Sequence, residues 1–242
     1  MIRAFIHARM SSERFPGKVL APFKGRPIIA HVIAQVARVI PADRITVATS
    51  TEPSDDPLAC YVREIGTPVY RGALNNVLER FQSCLRAYPC TWFFRLCADS
   101  PLLDSALLQA MLAYSDRPDV DLVTNVYPRT FPKGQSAEMV KTSVFLSIEQ
   151  ASLTPDEKEH VTKVYYDHPT AFRIINIASA DPGWADASFA VDTLEDLYRL
   201  ESIGSIEPIG SVGSVEFFAR HAADPIDPMD PIDPTDSMDL LR

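Results

Sequence analysis

Short apolar runs alternate with longer stretches of helical periodicity along most of this chain. Ile2–His7, Arg44–Thr49, Thr67–Arg71, Thr91–Leu96, Asp121–Thr124, Phe172–Ile177 and Ser188–Val191 read as strands, because each is short, apolar and bounded by turn formers. Several of the intervening helices carry start signals. Pro27 opens one, Asp56 before Pro57 offers an N-cap with proline at the first helical position, and Thr154-Pro155-Asp156-Glu157 joins such a proline to a capping box. Thr193 with Asp196 is a further start. The pattern predicts an α/β fold whose mostly parallel sheet is covered by helices on both faces, leaving the carboxyl ends of the strands open to a ligand.

A length of 242 residues suits one large domain with a small appendage, and 46% hydrophobic residues is ordinary for a globular chain. No apolar run approaches the ~20 residues that a membrane span requires. The amino terminus lacks the long apolar core of a signal peptide, so a cytoplasmic protein without membrane partners is expected. Cys60, Cys84, Cys90 and Cys97 show neither CxxC nor zinc spacing and are expected to be reduced, mostly buried thiols. The net charge of −9 is unevenly placed. Six aspartates at every third position from Asp224 to Asp239, interleaved with Pro225, Pro228, Pro231 and Pro234, give residues 222–242 a charge of −5 and leave −4 for residues 1–221. Proline removes backbone donors and the acids repel, which predicts a disordered acidic tail. With a pI near 5.0 there is no basic nucleic-acid footprint.

Arg9-Met10-Ser11-Ser12-Glu13-Arg14-Phe15-Pro16-Gly17-Lys18 places three cations, two hydroxyls and a glycine on a loop at the end of the first strand. Arginine meets phosphate oxygens in bidentate pairs and lysine acts as a point charge, so a loop folded around a triphosphate brings these cations together. Gly17 would let backbone N–H groups approach as well. The spacing is not that of a Walker A loop. A solvated basic loop is the alternative on charge alone.

The stretch from Ala8 through Arg9, Met10, Ser11, Ser12, Arg14 and Lys18 to Leu20 resembles the signature of cytidylyltransferases that make CMP-activated sugar acids, the CMP-sialate and CMP-Kdo synthetase type, in particular the SpsF-like branch. Further segments follow in the order of that family: Val47-Ala48-Thr49-Ser50, Asp55-Asp56-Pro57, Arg71-Gly72, Val77-Leu78-Glu79-Arg80-Phe81, Arg95-Leu96-Cys97-Ala98-Asp99-Ser100-Pro101, Phe131-Pro132-Lys133-Gly134, Glu159-His160 and Val191-Asp192-Thr193. The resemblance implies a Rossmann-like three-layer nucleotidyltransferase fold, with residues from about 127 to 168 forming an excursion that contributes to a homodimer. It also implies that Asp99 and Asp192 are metal ligands. Position supports that role, since both acids follow predicted strands on the side of the cationic loop, and Mg²⁺ favours one or two carboxylates completed by phosphates and water. A turn residue before proline (Asp99) and a helix-start acid (Asp192) are the structural alternatives.

Thr49 and Ser50 are candidates for the pyrimidine edge, and the resemblance adds Arg71 and Arg80 near the nucleotide. Asn125, Tyr127, Lys133, Gln135, Glu138 and His160 are candidates for the acceptor. Asn75-Asn76 stands where SpsF-like relatives carry acids, which bears on acceptor identity. The reading is a Mg²⁺-dependent cytidylyltransferase in which Arg14, Lys18, Asp99 and Asp192 carry catalysis and a sugar acid attacks CTP with release of pyrophosphate. A phosphonate or phosphorylated acceptor, a sugar-nucleotide glycosyltransferase and a nucleotide-binding scaffold are the rival readings. The glycosyltransferase would show a DxD motif, whereas Asp99 precedes Ser100-Pro101. Because the acidic repeat is too polar to order itself, truncation after His221 should leave the thermal unfolding midpoint and the activity of the body unchanged. A large fall in either would show that the repeat docks on the body.

Overall fold

The computed structural model describes residues 1–202 and the strand Val212–Phe218. The chain begins with β1 (Ile2–His7), a small hairpin of β2 (Pro22–Phe23) and β3 (Arg26–Pro27), and α1 (Ile28–Val36). It then alternates through β4 (Ile45–Ser50), α2 (Asp56–Glu64), β5 (Val69–Gly72), α3 (Val77–Ala87), β6 (Trp92–Cys97) and α4 (Ser105–Leu112). Next come β7 (Leu122–Thr124), β8 (Glu138–Lys141), α5 (Thr142–Leu146), α6 (Pro155–Glu159) and α7 (Lys163–Asp167). β9 (Ile174–Ser179), α8 (Leu194–Ser202) and β10 (Val212–Phe218) follow.

Eight strands form one sheet in the order β10-β9-β7-β8-β6-β1-β4-β5. β5, β4, β1, β6, β7 and β9 run one way, and only β8 and β10 oppose their neighbours. Because side chains alternate across a strand, each strand feeds two cores. Ala4, Ile6, Val47, Phe94, Leu96 and Ile175 pack with α1, α2 and α4 on one face. Phe5, Ala48, Phe93, Leu122, Val140 and Ile174 pack with α3, α5 and α7 on the other. The second face changes character along the strands: the period-two series that begins with Phe5, Ala48, Phe93, Leu122 and Ile174 continues into His7, Ser50, Arg95, Thr124 and Asn176. Those polar positions lie at the carboxyl ends.

Several expectations are corrected. Ser188–Val191 is not a strand: it makes an isolated bridge from Ser188 to Lys133, and Val191 N–H donates to Asp99 O at 2.9 Å. Its hydrogen bonds go to a loop and a strand end, leaving no full ladder. The strand predicted at Phe172–Ile177 lies two residues later, after a 3₁₀ turn over Pro169–Ala171. β8 was not anticipated, because its charged ends Glu138 and Lys141 mask a short buried strand. Within the 127–168 segment, β8 enters the central sheet and Phe145, Val161, Val164 and Tyr165 are buried in its core. Asp56 is not an N-cap either; α2 begins at Asp56, and neither it nor Asp55 caps through its side chain. The boxes at Thr154 and Thr193 do form. Of the cysteines, Cys84 is buried, Cys90 and Cys97 are half-buried, and Cys60 is exposed. The tail at 222–242 and residues 219–221 of the body lie outside the described residues.

Gly134 ties the loop before β8 to the segment that leads into α8. Its φ of 88° is left-handed, and a Cβ there would lie 2.4 Å from the Phe189 carbonyl carbon and 2.5 Å from Ala190 N. Neighbouring bonds, Lys133 N–H to Ala187 O at 3.0 Å and Phe189 N–H to Lys133 O at 2.7 Å, need that approach. Gly134→Ala should therefore destabilise the fold by more than about 1 kcal/mol in urea denaturation. Unchanged stability would mean that the two segments can separate freely.

Candidate active site

A cavity of about 530 Å³ opens at the carboxyl ends of β1 and β6, lined by the 8–19 loop, by Arg95, Cys97 and Asp99, by Glu159 and His160, and by Asp192. The loop is closed on itself. Gly17 N–H donates to Met10 O at 2.8 Å and Gly17 takes a φ of 77° at the start of the 3₁₀ turn Lys18–Leu20. The glycine therefore serves a left-handed turn, and its own N–H is spent within the loop.

The two aspartates meet on one cation. Lys18 Nζ donates to Asp99 Oδ2 at 2.8 Å and to Asp192 Oδ1 at 2.9 Å, and Arg14 reaches Asp192 Oδ2 at 2.9 Å. Burial works against the Lys18 charge, but Asp99 and Asp192 outweigh it and raise its pKa. Burial likewise raises the Asp192 pKa, and the opposing bonds and charges of Lys18 and Arg14 bring it below the ordinary carboxylate value. The ammonium nitrogen marks a point that both carboxylates reach, so the pair fits a small hard cation. Among the described residues no cluster of three or more metal-ligating side chains occurs, so further ligands would come from substrate and water. Arg9 donates to Glu159 Oε1 at 2.8 Å, linking the loop to the end of α6.

The loop is held from below by Asp55, which has no exposed surface. Its Oδ1 accepts from Met10 N–H at 2.7 Å, and its Oδ2 accepts from Thr49 Oγ1 at 2.9 Å, from Ser50 N–H at 3.0 Å and from the Ser50 hydroxyl. Burial pushes this carboxyl up, but the bonds from Met10, Ser50 and Thr49 prevail and hold its pKa down.

The cationic loop is thus folded onto two acids, one of them just beyond β6, and comparison with known proteins gives the chain a family. The sequence profile of the cytidylyltransferase family matches residues 4–201. The chain belongs to the cytidylyltransferase family. It is a CTP-dependent nucleotidyltransferase. It is 30% identical over 206 residues to the spore coat polysaccharide biosynthesis protein SpsF of Bacillus subtilis, covering 82% of this chain and 84% of that protein. A cytidylyltransferase structure from Leptospira borgpetersenii is similar with a TM-score of 0.77 and 26% identity, over 83% of this chain and 85% of that one. The fold is also that of a CMP:2-keto-3-deoxy-manno-octonic acid synthetase solved with CTP, with a TM-score of 0.63 and 16% identity over 83% of this chain and 97% of that one. Among the described residues, no helix of this cytidylyltransferase is long and apolar enough to cross a membrane.

Of the residues singled out from sequence, Ala8, Arg9, Ser12, Arg14, Lys18, Asp99, His160 and Asp192 line the cavity of this cytidylyltransferase. Met10, Ser11, Thr49, Ser50, Arg71 and Arg80 do not. Thr49 and Ser50 are fully buried and committed to Asp55. Arg71 donates to Ser50 O at 2.8 Å and Glu52 O at 2.9 Å and pairs with Asp56 at 2.6 Å, bracing the β4–α2 turn. Arg80 is 0% exposed and donates to Ala73 O at 2.6 Å and His7 Nε2 at 2.8 Å. Asn76 caps α3 by accepting from Glu79 N–H, which accounts for an asparagine there.

The acceptor candidates other than His160 lie outside the cavity lining. Asn125 donates to Gln135 O at 2.7 Å and accepts from Ala137 N–H at 2.9 Å, while Gln135 donates to Leu102 O at 2.6 Å, so both are buried braces of the loop. Tyr127 stacks on Tyr166, and Lys133 is exposed beside Ser188. Glu138 is buried and accepts from Thr162 Oγ1 at 2.6 Å, Tyr166 OH at 2.9 Å and Arg95 Nη1 at 3.3 Å. Glu159, named from sequence together with His160, also lines the cavity, and His7, Arg95 and Cys97 line it without having been given a role. Arg95 and Cys97 carried a signal, a cation two residues from a thiol in an otherwise apolar strand. Burial pushes the Cys97 thiol up to about 11, so it is a neutral wall at physiological pH.

Asp55→Ala should destabilise the cytidylyltransferase by about 1–3 kcal/mol, because Thr49, Ser50 and Met10 lose a buried acceptor. The native Asp55 pKa is lowered, so its stabilisation is present above the ordinary carboxylate pKa and is lost as pH falls through the native value. Stability of the alanine variant should thus fall less steeply in acid. Parallel urea profiles at pH 3 to 7 would contradict the role given to Asp55.

Proposed function

We propose that this enzyme transfers CMP from CTP to a sugar acid or related acidic small molecule with release of pyrophosphate, using Mg²⁺ held by Asp99 and Asp192. The observation that carries the reading is the convergence of both carboxylates on the Lys18 ammonium within a cavity rimmed by Arg14. An acceptor hydroxyl oxygen forms a bond to the α-phosphorus as the bond to the β-phosphate oxygen breaks, and a proton is released. Arg14 and Lys18 would neutralise charge on the triphosphate and on the departing pyrophosphate. Bound there, Mg²⁺ supplies charge stabilisation at the phosphoryl oxygens. Glu159 and His160 stand at the cavity wall at the α6 end, where Glu159 pairs with Arg9 of the loop. That wall is the side from which an acceptor enters.

Pyrophosphate release measured with four nucleoside triphosphates against panels of sugar acids and phosphonates tests this reading. Release with CTP and a sugar acid is expected; turnover of a nucleotide sugar without any triphosphate would replace it by glycosyl transfer. Asp99→Asn and Asp192→Asn should each lower turnover by roughly two or more orders of magnitude and shift its Mg²⁺ dependence, with the double variant falling far short of the combined losses. An unchanged Mg²⁺ response in either single variant removes that aspartate from the metal site.

A further inference from the structure

His7 ends β1 on the polar side of the sheet and lines the cavity, yet the reading above leaves it without a task. Its ring is fixed on two sides. Phe81 meets it edge to face with centroids 6.3 Å apart, and Arg80 Nη2 lies 2.8 Å from Nε2. A guanidinium only donates, so Nε2 must be the acceptor and Nδ1 must carry the proton in the neutral ring. Among the described residues Nδ1 has no hydrogen-bond partner, and it is not among the enclosed unsatisfied atoms. It is therefore a donor left open to the cavity.

Charge decides what that donor can serve. Burial, then Arg80, Arg95, Arg9 and His160, lower the His7 pKa well below its ordinary value, so the ring stays neutral beside three cations. Phosphate and carboxylate groups are better met by Arg14, Lys18 and Arg95, which stay charged. A neutral N–H of fixed direction suits an uncharged acceptor, and the hydrogen-bonding edge of a nucleotide base supplies one.

We propose that His7 donates from Nδ1 to N3 of the cytosine ring and thereby sets the preference for CTP over UTP. This inference rests on the proposed use of CTP in this cavity. Cytosine N3 is an acceptor, whereas uracil carries a proton there, so the fixed donor would face a donor and both would go unpaired. Arg80, fully buried, is then a positioning residue that selects the tautomer and does not touch the nucleotide.

Calorimetric titration of CTP and UTP, each with Mg²⁺, into wild type, His7→Leu and His7→Gln tests the assignment. Wild type should bind CTP more tightly. His7→Leu should narrow the CTP:UTP affinity ratio by roughly tenfold or more through weaker CTP binding, and His7→Gln, whose amide can accept from Arg80 and donate to the base, should recover part of it. Nitrogen-15 NMR of the wild-type imidazole should show Nδ1 protonated and Nε2 unprotonated at pH 7, a readout independent of any variant's folding. An unchanged ratio in a folded His7→Leu that still binds CTP, or an Nε2–H tautomer, overturns the assignment while leaving CTP use intact. Failure of wild type to bind CTP overturns both.

Discussion

Covering both faces of the sheet with helices constrains where polarity can lie. A strand buried on two sides tolerates polar side chains only where the helical layers stop or where each polar atom is paired. Phe5, Phe93, Leu122 and Ile174 occupy the covered half of one face, and His7, Arg95, Thr124 and Asn176 continue the same rows beyond it. The site is thus the polar continuation of the core. Its floor inherits the rigidity of the β1–β6 pairing, in which His7 lies opposite Cys97.

Each cation of the 9–18 loop already has an acid partner: Arg9 with Glu159, Arg14 with Asp192, and Lys18 with both Asp99 and Asp192. The Arg9 and Arg14 pairs are partly exposed and contribute little to stability individually, whereas Lys18 is buried. Their consequence is for binding. A triphosphate entering alone meets cations whose charge is compensated, whereas one arriving with a divalent cation leaves the carboxylates a replacement partner. On the proposed reading, metal and nucleotide would be coupled through Lys18, which occupies the position between the two aspartates.

Underneath lies a buried layer that holds several of the side chains and loop groups lining the cavity. Asp55 holds Met10 N–H and both hydroxyls at the end of β4, Arg80 holds His7, and the Thr162–Tyr166–Glu138 set holds Arg95. Polar groups at such depth persist only when nearly every donor and acceptor is satisfied. Thr49, Ser50, Arg71, Arg80, Asn125 and Gln135 belong to this supporting layer.

From sequence alone, period-two apolar runs and proline-marked helix starts determined the α/β alternation and most of the parallel strands, because both signals are local. The cationic loop, Asp99 and Asp192 were legible as candidates because each follows an apolar run, although of the two acids only Asp99 turns out to follow a strand of the sheet, β6. Which side chains face the cavity was decided only by tertiary structure. Thr49 and Arg80 look like nucleotide contacts in sequence, but partners six and seventy-three residues away, Asp55 and His7, take up their polar atoms. β8 and the Ser188–Val191 segment escaped or misled the local reading for the same reason. Their hydrogen bonds are made to chain remote in sequence, and a pattern of neighbouring residues carries no record of a partner that only folding brings close.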